Sequence, residues 1–538
     1  MSKYSSFWSW LRIIRDIKLQ IALLTLNLLF VSLVLFLLAH RSFDQDSRAL
    51  SNSLLPGEIP TRTVFNSKPI LSTEISNLSP DGLDNSLWNE EILRNKTEFL
   101  VFNQTSDFFK KGPRPEGKSE GKSVAASRID SLHPYIATKP ILLIAEGIFD
   151  GKTAEIHAKW GILIQGKTIT QIGALSELKL PASYDRLDLG NTTLMPGLID
   201  AHTHVLLHPY NETTWNDQVA REPQALRVCR ATNHLRLLLE SGFTTIRDLG
   251  TEGAGYADVG LRDAIKGGII PGPRMLVVTK AIVATGTYGP KGFAPEWTVP
   301  QGAEEGDGVA NLIRITRDQI GRGADWIKVY ADAAMAKGPS RPTFSLEELK
   351  AIVQTANSLG VSVAAHAISI EGMKRAILAG VRTIEHGYEG DIAIFRLAAS
   401  EEIFFCPTLA TVEAYARYQG WNNQNEGEPK SVQSARKMIA IAIESGVAIA
   451  NGSDIGVFPH GEGVRELELL VDYGLKPFQA IQSATTVAAN ALHLDKQIGK
   501  LQPGFIADII AVSGNPLQNI RSLRNIKMVM KEGIIYRK

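Results

Sequence analysis

Apolar and polar positions fall into three regimes along the chain. Residues 21–39 (IALLTLNLLFVSLVLFLLA) form one unbroken apolar block without a charge. From residue 141 the pattern has period two: ILLIAEGIFDG is followed by AKWGILIQGKTITQIGA, with Gly151 and the Gly166-Lys167 pair where hairpin turns would fall. Alternation of this kind suits strands with one buried face and predicts a small β-sandwich. The same texture returns near the end, in GFIADIIAV from Gly504 and KMVMKEGIIY from Lys527. Between these segments, residues 195–495 alternate short apolar runs with longer helix-like ones. The helix-like runs close on a glycine just before the next strand, as in Ser241-Gly242-Phe243, Leu359-Gly360-Val361, Ala379-Gly380-Val381 and Ser445-Gly446-Val447. Glycine there takes the left-handed conformation that ends a helix. Ser345 with Glu348 has the capping-box form that opens one. Eight apolar strands, near Leu198, Thr244, Arg274, Ile327, Val363, Thr383, Phe404 and Ala448, predict an α/β fold of the (β/α)8 TIM-barrel type. A doubly wound open sheet is the alternative, but no Gly-x-Gly-x-x-Gly follows the first strand.

The apolar block changes the picture of the N-terminus. Nineteen helical residues span about 28 Å, close to the hydrocarbon thickness of a bilayer. Lys3, Arg12, Arg15 and Lys18 precede the block with Asp16 as the lone acid, while Asp44 and Asp46 follow it. That asymmetry predicts a transmembrane signal anchor at 21–39, a cytosolic tail at 1–20 and a type II protein whose body is lumenal or extracellular. The competing reading is secretion after signal-peptide cleavage, for which Leu37-Leu38-Ala39 is a poor site. Residues 40–138 read as a mostly disordered stalk, polar in composition and including KKGPRPEGKSEGK at 110–122. Asn77, Asn95 and Asn103 begin glycosylation triplets if this segment is lumenal. A net charge of +1 argues against a polyanion-binding surface, so no nucleic-acid partner is expected. The two cysteines, Cys229 and Cys406, cannot build a disulfide framework and are expected to be buried free thiols.

In a barrel, reacting groups sit at the C-terminal ends of the strands. Strand one ends in His202-Thr203-His204, two imidazoles on one side of a strand and able to face a common point. Strand four holds Lys328 among apolar residues. Strands five and six end in His366 and His386, and strand eight leads to Asp454. Singly, each has an ordinary explanation: a core histidine, a helix cap, a snorkelling lysine. Together, preceded by Leu194-Met195-Pro196-Gly197-Leu198-Ile199-Asp200-Ala201, they resemble the amidohydrolase superfamily.

That resemblance implies the rest of the site. His202, His204 and Asp454 would hold a more buried divalent metal ion, and His366 with His386 a more exposed one. Lys328 would carry CO2 as a carbamate and, with a hydroxide, bridge the pair. Asp454 would take the proton of the attacking water and deliver it to the leaving nitrogen. Imidazole and oxygen donors without thiolate suit zinc. The superfamily also builds a composite β-domain around its barrel, which here implies segments 139–194 and 497–538 flanking a barrel at 195–496, with Pro503-Gly504 and Ala507-Asp508 on the closing strand.

HAISIEGMKRAILAGVRTIEHG, followed by Cys406-Pro407-Thr408-Leu409, is similar to the imidazolonepropionase-like branch, which includes prolidase-type dipeptidases and ochratoxin-type amidases. Deamination is disfavoured, because His366-Ala-Ile-Ser369 lacks the His-x-x-Glu of deaminases. Ile368 also stands where some dipeptidases of the branch carry a substrate-touching tyrosine. The expected activity is hydrolysis of a C–N amide bond in a small peptide-like or N-acyl amino acid substrate. The alternatives are cyclic-amide hydrolysis and a catalytically inactive membrane-anchored barrel. The long Gly/Pro-rich stretch at 279–308 is expected to form part of a lid, with Tyr288, Trp297 and, from another loop, His460 as candidate substrate contacts. His208, Tyr210 and Arg465 are also expected in loops over the mouth. A homo-oligomer is compatible with the pattern.

Overall fold

Segments from the two sides of the barrel sequence meet in one six-stranded sheet. Its order is Ile534–Arg537, Ile526–Lys531, Ile509–Val512, Thr193–Pro196, Gly147–Ile148 and His157–Ala158. Ile509 pairs antiparallel with Pro196, and Val512 with Thr193, so the last part of the chain is stitched to the strand that leads into the barrel. A four-stranded sheet packs with it, in the order Thr168–Ala174, Trp160–Gln165, Ile141–Ile144 and Asp185–Asp188. The two share a core in which Leu143, Ile162 and Ile164 of one sheet meet Leu194, Ile509 and Met528 of the other. Alternating apolar positions supply that core directly.

This computed structural model describes residues 135–334, 339–422 and 427–538. The expected tail and apolar block, and the stalk as far as residue 134, lie outside the described residues. Among the described residues no helix is long and apolar enough to cross a membrane. Tyr135 exchanges backbone hydrogen bonds with Ile535 (2.9 and 3.2 Å).

Seven barrel strands run Leu198–Thr203, Phe243–Asp248, Arg274–Val277, Trp326–Tyr330, Ser362–Ala367, Thr383–His386 and Phe404–Cys406. They are strands one to seven below. One, two and three pair in parallel, as do four, five, six and seven. The eighth position is irregular: residues 448–455 are hydrogen-bonded to strand seven through Phe405 and to strand one through Ala201, His202 and His204. Asp325 N–H donates to Val277 O across the junction of strands three and four (2.8 Å). Inside the barrel, Ile199, Ala201, Trp326, Ala364, Phe404, Cys406 and Ala450 pack together, with Ala488, Ala489 and Leu492 part of the same cluster.

The helices form where their boundary residues direct. Ser345 and Glu348 cap each other at the start of Leu346–Ser358. Gly380 and Gly446 adopt left-handed conformations at the ends of Ile370–Ala379 and Lys430–Ser445. One expectation fails: Cys406 is buried, but Cys229 is exposed. The inward stripe of helix Gln224–Glu240 falls on Arg227, Ala231, Leu235 and Leu238, and position 229 is out of phase with it.

Candidate metal centre

Strand one delivers its two histidines with their tautomers already fixed. His202 Nδ1 donates to Glu385 Oε2 at 2.8 Å, and His204 Nδ1 donates to Gly250 O at 3.0 Å. Each bond turns Nε2 toward the interior of the site. Both Nε2 atoms point at one oxygen, Asp454 Oδ1, at 3.5 Å from His202 and 3.3 Å from His204. One ligand atom from each of the three residues lies within 4.8 Å of the others, and all three are buried. Asp454 is held there by its own backbone, whose N–H donates to His202 O (2.8 Å), and by a left-handed φ of 59°.

The remaining histidines continue the cluster. The His386 ring lies 5.0 Å from that of His202 and 4.5 Å from that of His366. His386 Nδ1 is hydrogen-bonded to Thr408 Oγ1 (2.9 Å). His366 is turned the other way: Nε2 lies 3.7 Å from Asp332 Oδ1, and Nδ1 is buried without a partner. Lys328 is completely buried, and its Nζ also has no partner. A buried lone-pair nitrogen and a buried amine without partners are costly features, and a bound group would relieve both.

Electrostatics prepare the same atoms. Burial and the nearby Lys328 ammonium push His202 far below the usual imidazole range and bring His366 down to about 3. Burial, with His366, His202 and Lys328 close by, does the same to His386. His204 differs: burial opposes its protonation, but the hydrogen bond and charge of Asp454, helped by Glu252, raise it to about 9. Burial works against the charge on Asp454, yet His202, His204 and Lys328 hold that carboxyl below its ordinary value. Burial lowers Lys328 to about 8, against the pull of Glu385 and Asp454. Three imidazoles are therefore neutral donors, and the lysine is unusually ready to shed its proton. Among these side chains, His202, His204 and Asp454 fit one divalent cation.

The substrate-contact candidates divide. Tyr288 lies near the centre: its hydroxyl donates to Glu252 Oε2 (2.7 Å), and its ring packs 4.7 Å from Tyr330, which stacks on His366. Trp297 is 66% exposed and rests beside Phe293, so it makes no contact with the centre. His460 lies behind strand one. It stacks on His234 at 3.9 Å and donates from Nε2 to His204 O (3.3 Å), while His234 donates to Val205 O. The pair holds the backbone that carries a ligand. His208 is buried between Glu212 and Glu222, and Arg465 pairs with Glu413 and Glu468. Residues 279–308 carry two short strands, Ile282–Val283 and Glu304–Glu305, paired in parallel.

Sequence reasoning passed over the groups that support the ligands. Glu385, beside His386, orients His202 and is itself held by Arg247 Nη2 (2.9 Å). A charged residue inside an apolar strand is a readable signal for Glu385, as it is for Lys328. Glu252 and Asp332 lie after strand ends, where sequence carries no periodicity to interpret.

Comparison with known proteins places this arrangement. The amidohydrolase family profile matches residues 193–535. An ochratoxinase from Aspergillus niger is 30% identical over 415 residues, covering 72% of this chain and 84% of that protein. An imidazolonepropionase from Fusobacterium nucleatum is 24% identical, covering 65% of this chain and 83% of its own. Among solved structures, a Xaa-Pro dipeptidase with methionine bound in its active site is 31% identical and superposes with a TM-score of 0.66, over 74% of this chain and all of that one. The match to the family spans both the barrel strands and the closing strands of the β-domain, and the chain belongs to the amidohydrolase family.

Proposed function

We propose that this protein is a binuclear metal-dependent hydrolase of a C–N amide bond in a small peptide-like or N-acyl amino acid substrate. The observation that carries the reading is the pair of unpartnered buried nitrogens, Lys328 Nζ and His366 Nδ1, beside the converging His202, His204 and Asp454. His202, His204 and Asp454 would hold one cation, His366 and His386 the other, and carbamylated Lys328 would join them. When bound, such cations acidify a water molecule and polarise a carbonyl. The chain supplies the rest. Asp454 Oδ1, close to both strand-one imidazoles, takes a proton from the attacking water and passes it to the leaving nitrogen. Glu385 and the Gly250 carbonyl keep His202 and His204 in the required tautomers. Kinship with an ochratoxinase and a Xaa-Pro dipeptidase supports amide cleavage. Zinc is the cation this donor chemistry favours.

Full-length protein assayed against dipeptides, N-acyl amino acids and cyclic amides, with its metal content measured, tests this. Turnover of acyclic amides with two equivalents of metal is the expected result. Turnover confined to cyclic amides, or metal below two equivalents in an active preparation, would overturn it.

For topology, the charge asymmetry around residues 21–39 supports a membrane anchor with the catalytic body lumenal or extracellular. A glycosidase-sensitive shift of the full-length chain in gels is expected, and a body digested by protease outside intact, cytosol-facing vesicles would reverse the assignment.

A further inference from the structure

Between helix Leu409–Tyr418, which follows strand seven, and the connection after Asp454 lies a cavity of about 310 Å³, a volume within the range of small-molecule sites. None of the six candidate metal ligands lines it. Ala414, Phe458 and Pro459 give it an apolar wall, and Arg417, Arg465 and Glu462 a charged one. The charges on that wall are only partly satisfied. Glu413 is fully engaged: Oε1 accepts from Arg417 Nε (2.9 Å) and Nη2 (2.5 Å), and Oε2 from Arg465 Nε (2.8 Å). Arg465 Nη1 donates to Glu468 Oε2 (2.9 Å). Among the described residues this leaves Arg417 Nη1 and Arg465 Nη2 without a hydrogen bond, on two guanidiniums that grip the same carboxylate. Glu462 is the opposite case. Its Oε2 accepts from Arg524 Nη1 (2.6 Å), the other nitrogens of Arg524 go to Glu468, and Glu462 Oε1 has no donor among the described residues. The side chains of Glu462 and Arg417 are about half exposed, so both are reachable from solvent.

A molecule that meets these groups needs a carboxylate for the two guanidiniums, an ammonium for Glu462 and an apolar portion for the opposite wall. A plain anion would face the open oxygen of Glu462, and a plain cation would face two guanidiniums; like charges are unfavourable in either case. We propose that this cavity binds a free α-amino acid with an apolar side chain. Such molecules are of the class released by the peptide-like hydrolysis proposed above, yet the site stands on its own charges and does not depend on that reading. Tyr418 Oη, at the cavity, donates to Val457 O (3.2 Å), and Thr411 Oγ1 on the same helix donates to Ser453 O (3.2 Å). The bound amino acid would therefore rest against the helix and the connection that flank Asp454.

Titration calorimetry of the full-length protein with L-leucine, N-acetyl-L-leucine and L-leucinamide tests this, on metal-loaded and on chelator-stripped samples. The parent is expected to bind L-leucine roughly 10- to 100-fold more tightly than either derivative, since each derivative lacks one charge and its hydrogen bonds. Binding is expected to be the same with and without metal. Arg417→Gln is expected to weaken L-leucine by a similar factor with metal content unchanged, and Ala414→Leu, which fills the apolar side of the cavity, to abolish binding. No binding of L-leucine by the parent would overturn the site, and equal binding of either derivative would overturn the zwitterionic ligand. Binding that disappears with the metal, or that Arg417→Gln leaves undiminished, would assign the amino acid to the metal centre and overturn the proposal as well. If Arg417→Gln does not fold, Ala414→Leu and the parent's order of affinities decide. Because every readout is binding rather than turnover, the amide-hydrolase reading stands or falls separately.

Discussion

Glu385 Oε2 accepts from His202 Nδ1 at 2.8 Å, while Glu385 Oε1 accepts from Arg247 Nη2 at 2.9 Å, and all three side chains are buried. One carboxylate thereby sets the tautomer of a metal ligand and neutralises an interior guanidinium. Glu385→Gln keeps the shape and weakens both bonds. Loss of such a partner costs about 10- to 100-fold in metal affinity or activity, measurable by competition with a chelator of known strength. Glu385→Gln and Glu385→Ala both leave Arg247 buried without its charge partner, and each is expected to destabilise the fold by about 3–5 kcal/mol. Urea midpoints of both variants equal to that of the parent would show that the ion pair is not the governing term.

Lys328 makes a prediction with two opposite signs. Lys328→Ala is expected to abolish turnover, with partial rescue by short carboxylic acids that replace the missing bridge. In the metal-stripped protein, Lys328→Met is expected to stabilise the fold by about 1–3 kcal/mol, because a buried amine without a partner is gone. Calorimetry on chelator-treated protein reads the second effect. Full activity of Lys328→Ala without added acid would remove the bridging role.

The candidate ligands were legible in the sequence because a barrel puts chemistry toward the C-terminal ends of its strands, and His202, His204, Lys328, His366, His386 and Asp454 lie on or just after such strands. The paired ends of the β-domain were legible because period-two alternation survives in both flanks. Three features were not. Strand eight is barely a strand, and residues 448–455 are fixed by bonds to neighbours on both sides, which no local pattern records. His460 looked like a mouth residue, yet its partners, His234 and the His204 carbonyl, come from elements more than 200 positions earlier. Glu252 sits in a turn, and the donors to its carboxylate come from the start of helix Trp215–Ala220 and from the 279–308 stretch. What escapes a sequence is which distant backbone a polar side chain will meet.

Lys531 gives a pH dependence that owes nothing to the metal centre. It is buried in the β-domain, donates to Gly272 O (2.6 Å), and burial lowers its pKa from 10.5 to about 8. Below pH 8 the folded and unfolded chains both carry the charge, and the cost of burying it is fully present. Between pH 8 and 10.5 the folded amine is neutral while the unfolded one stays protonated, so the unfolded state binds more protons and stability rises with pH. Lys531→Met lacks this contribution. Urea midpoints at pH 7.5, 8.5 and 9.5 should show the parent gaining on the variant at each step. A gap that is constant across the three would contradict the burial of a charge at this position.

Gly456 tests whether the closure between strand eight and strand one positions the metal ligands. Its φ is 122°, and a β-carbon there would lie 2.5 Å from His204 O, a main-chain atom that cannot swing aside. His204 N–H is bonded to Ile455 O at 2.8 Å, so relief of that clash has to move the ligand strand or break the closure. Gly456→Ala is therefore expected to cost more than about 1 kcal/mol in stability, from backbone strain and overlap together, and to lower metal occupancy. Gly461→Ala is the control from the same connection, since a β-carbon there meets nothing within 4 Å. Because Gly461 has neither a positive φ nor a close neighbour, a difference in melting temperature between the variants reports strain and overlap at 456 together, and a difference in bound metal reports whether that disturbance reaches His204. If the two behave alike, the closure holds the chain together without setting the geometry of the centre.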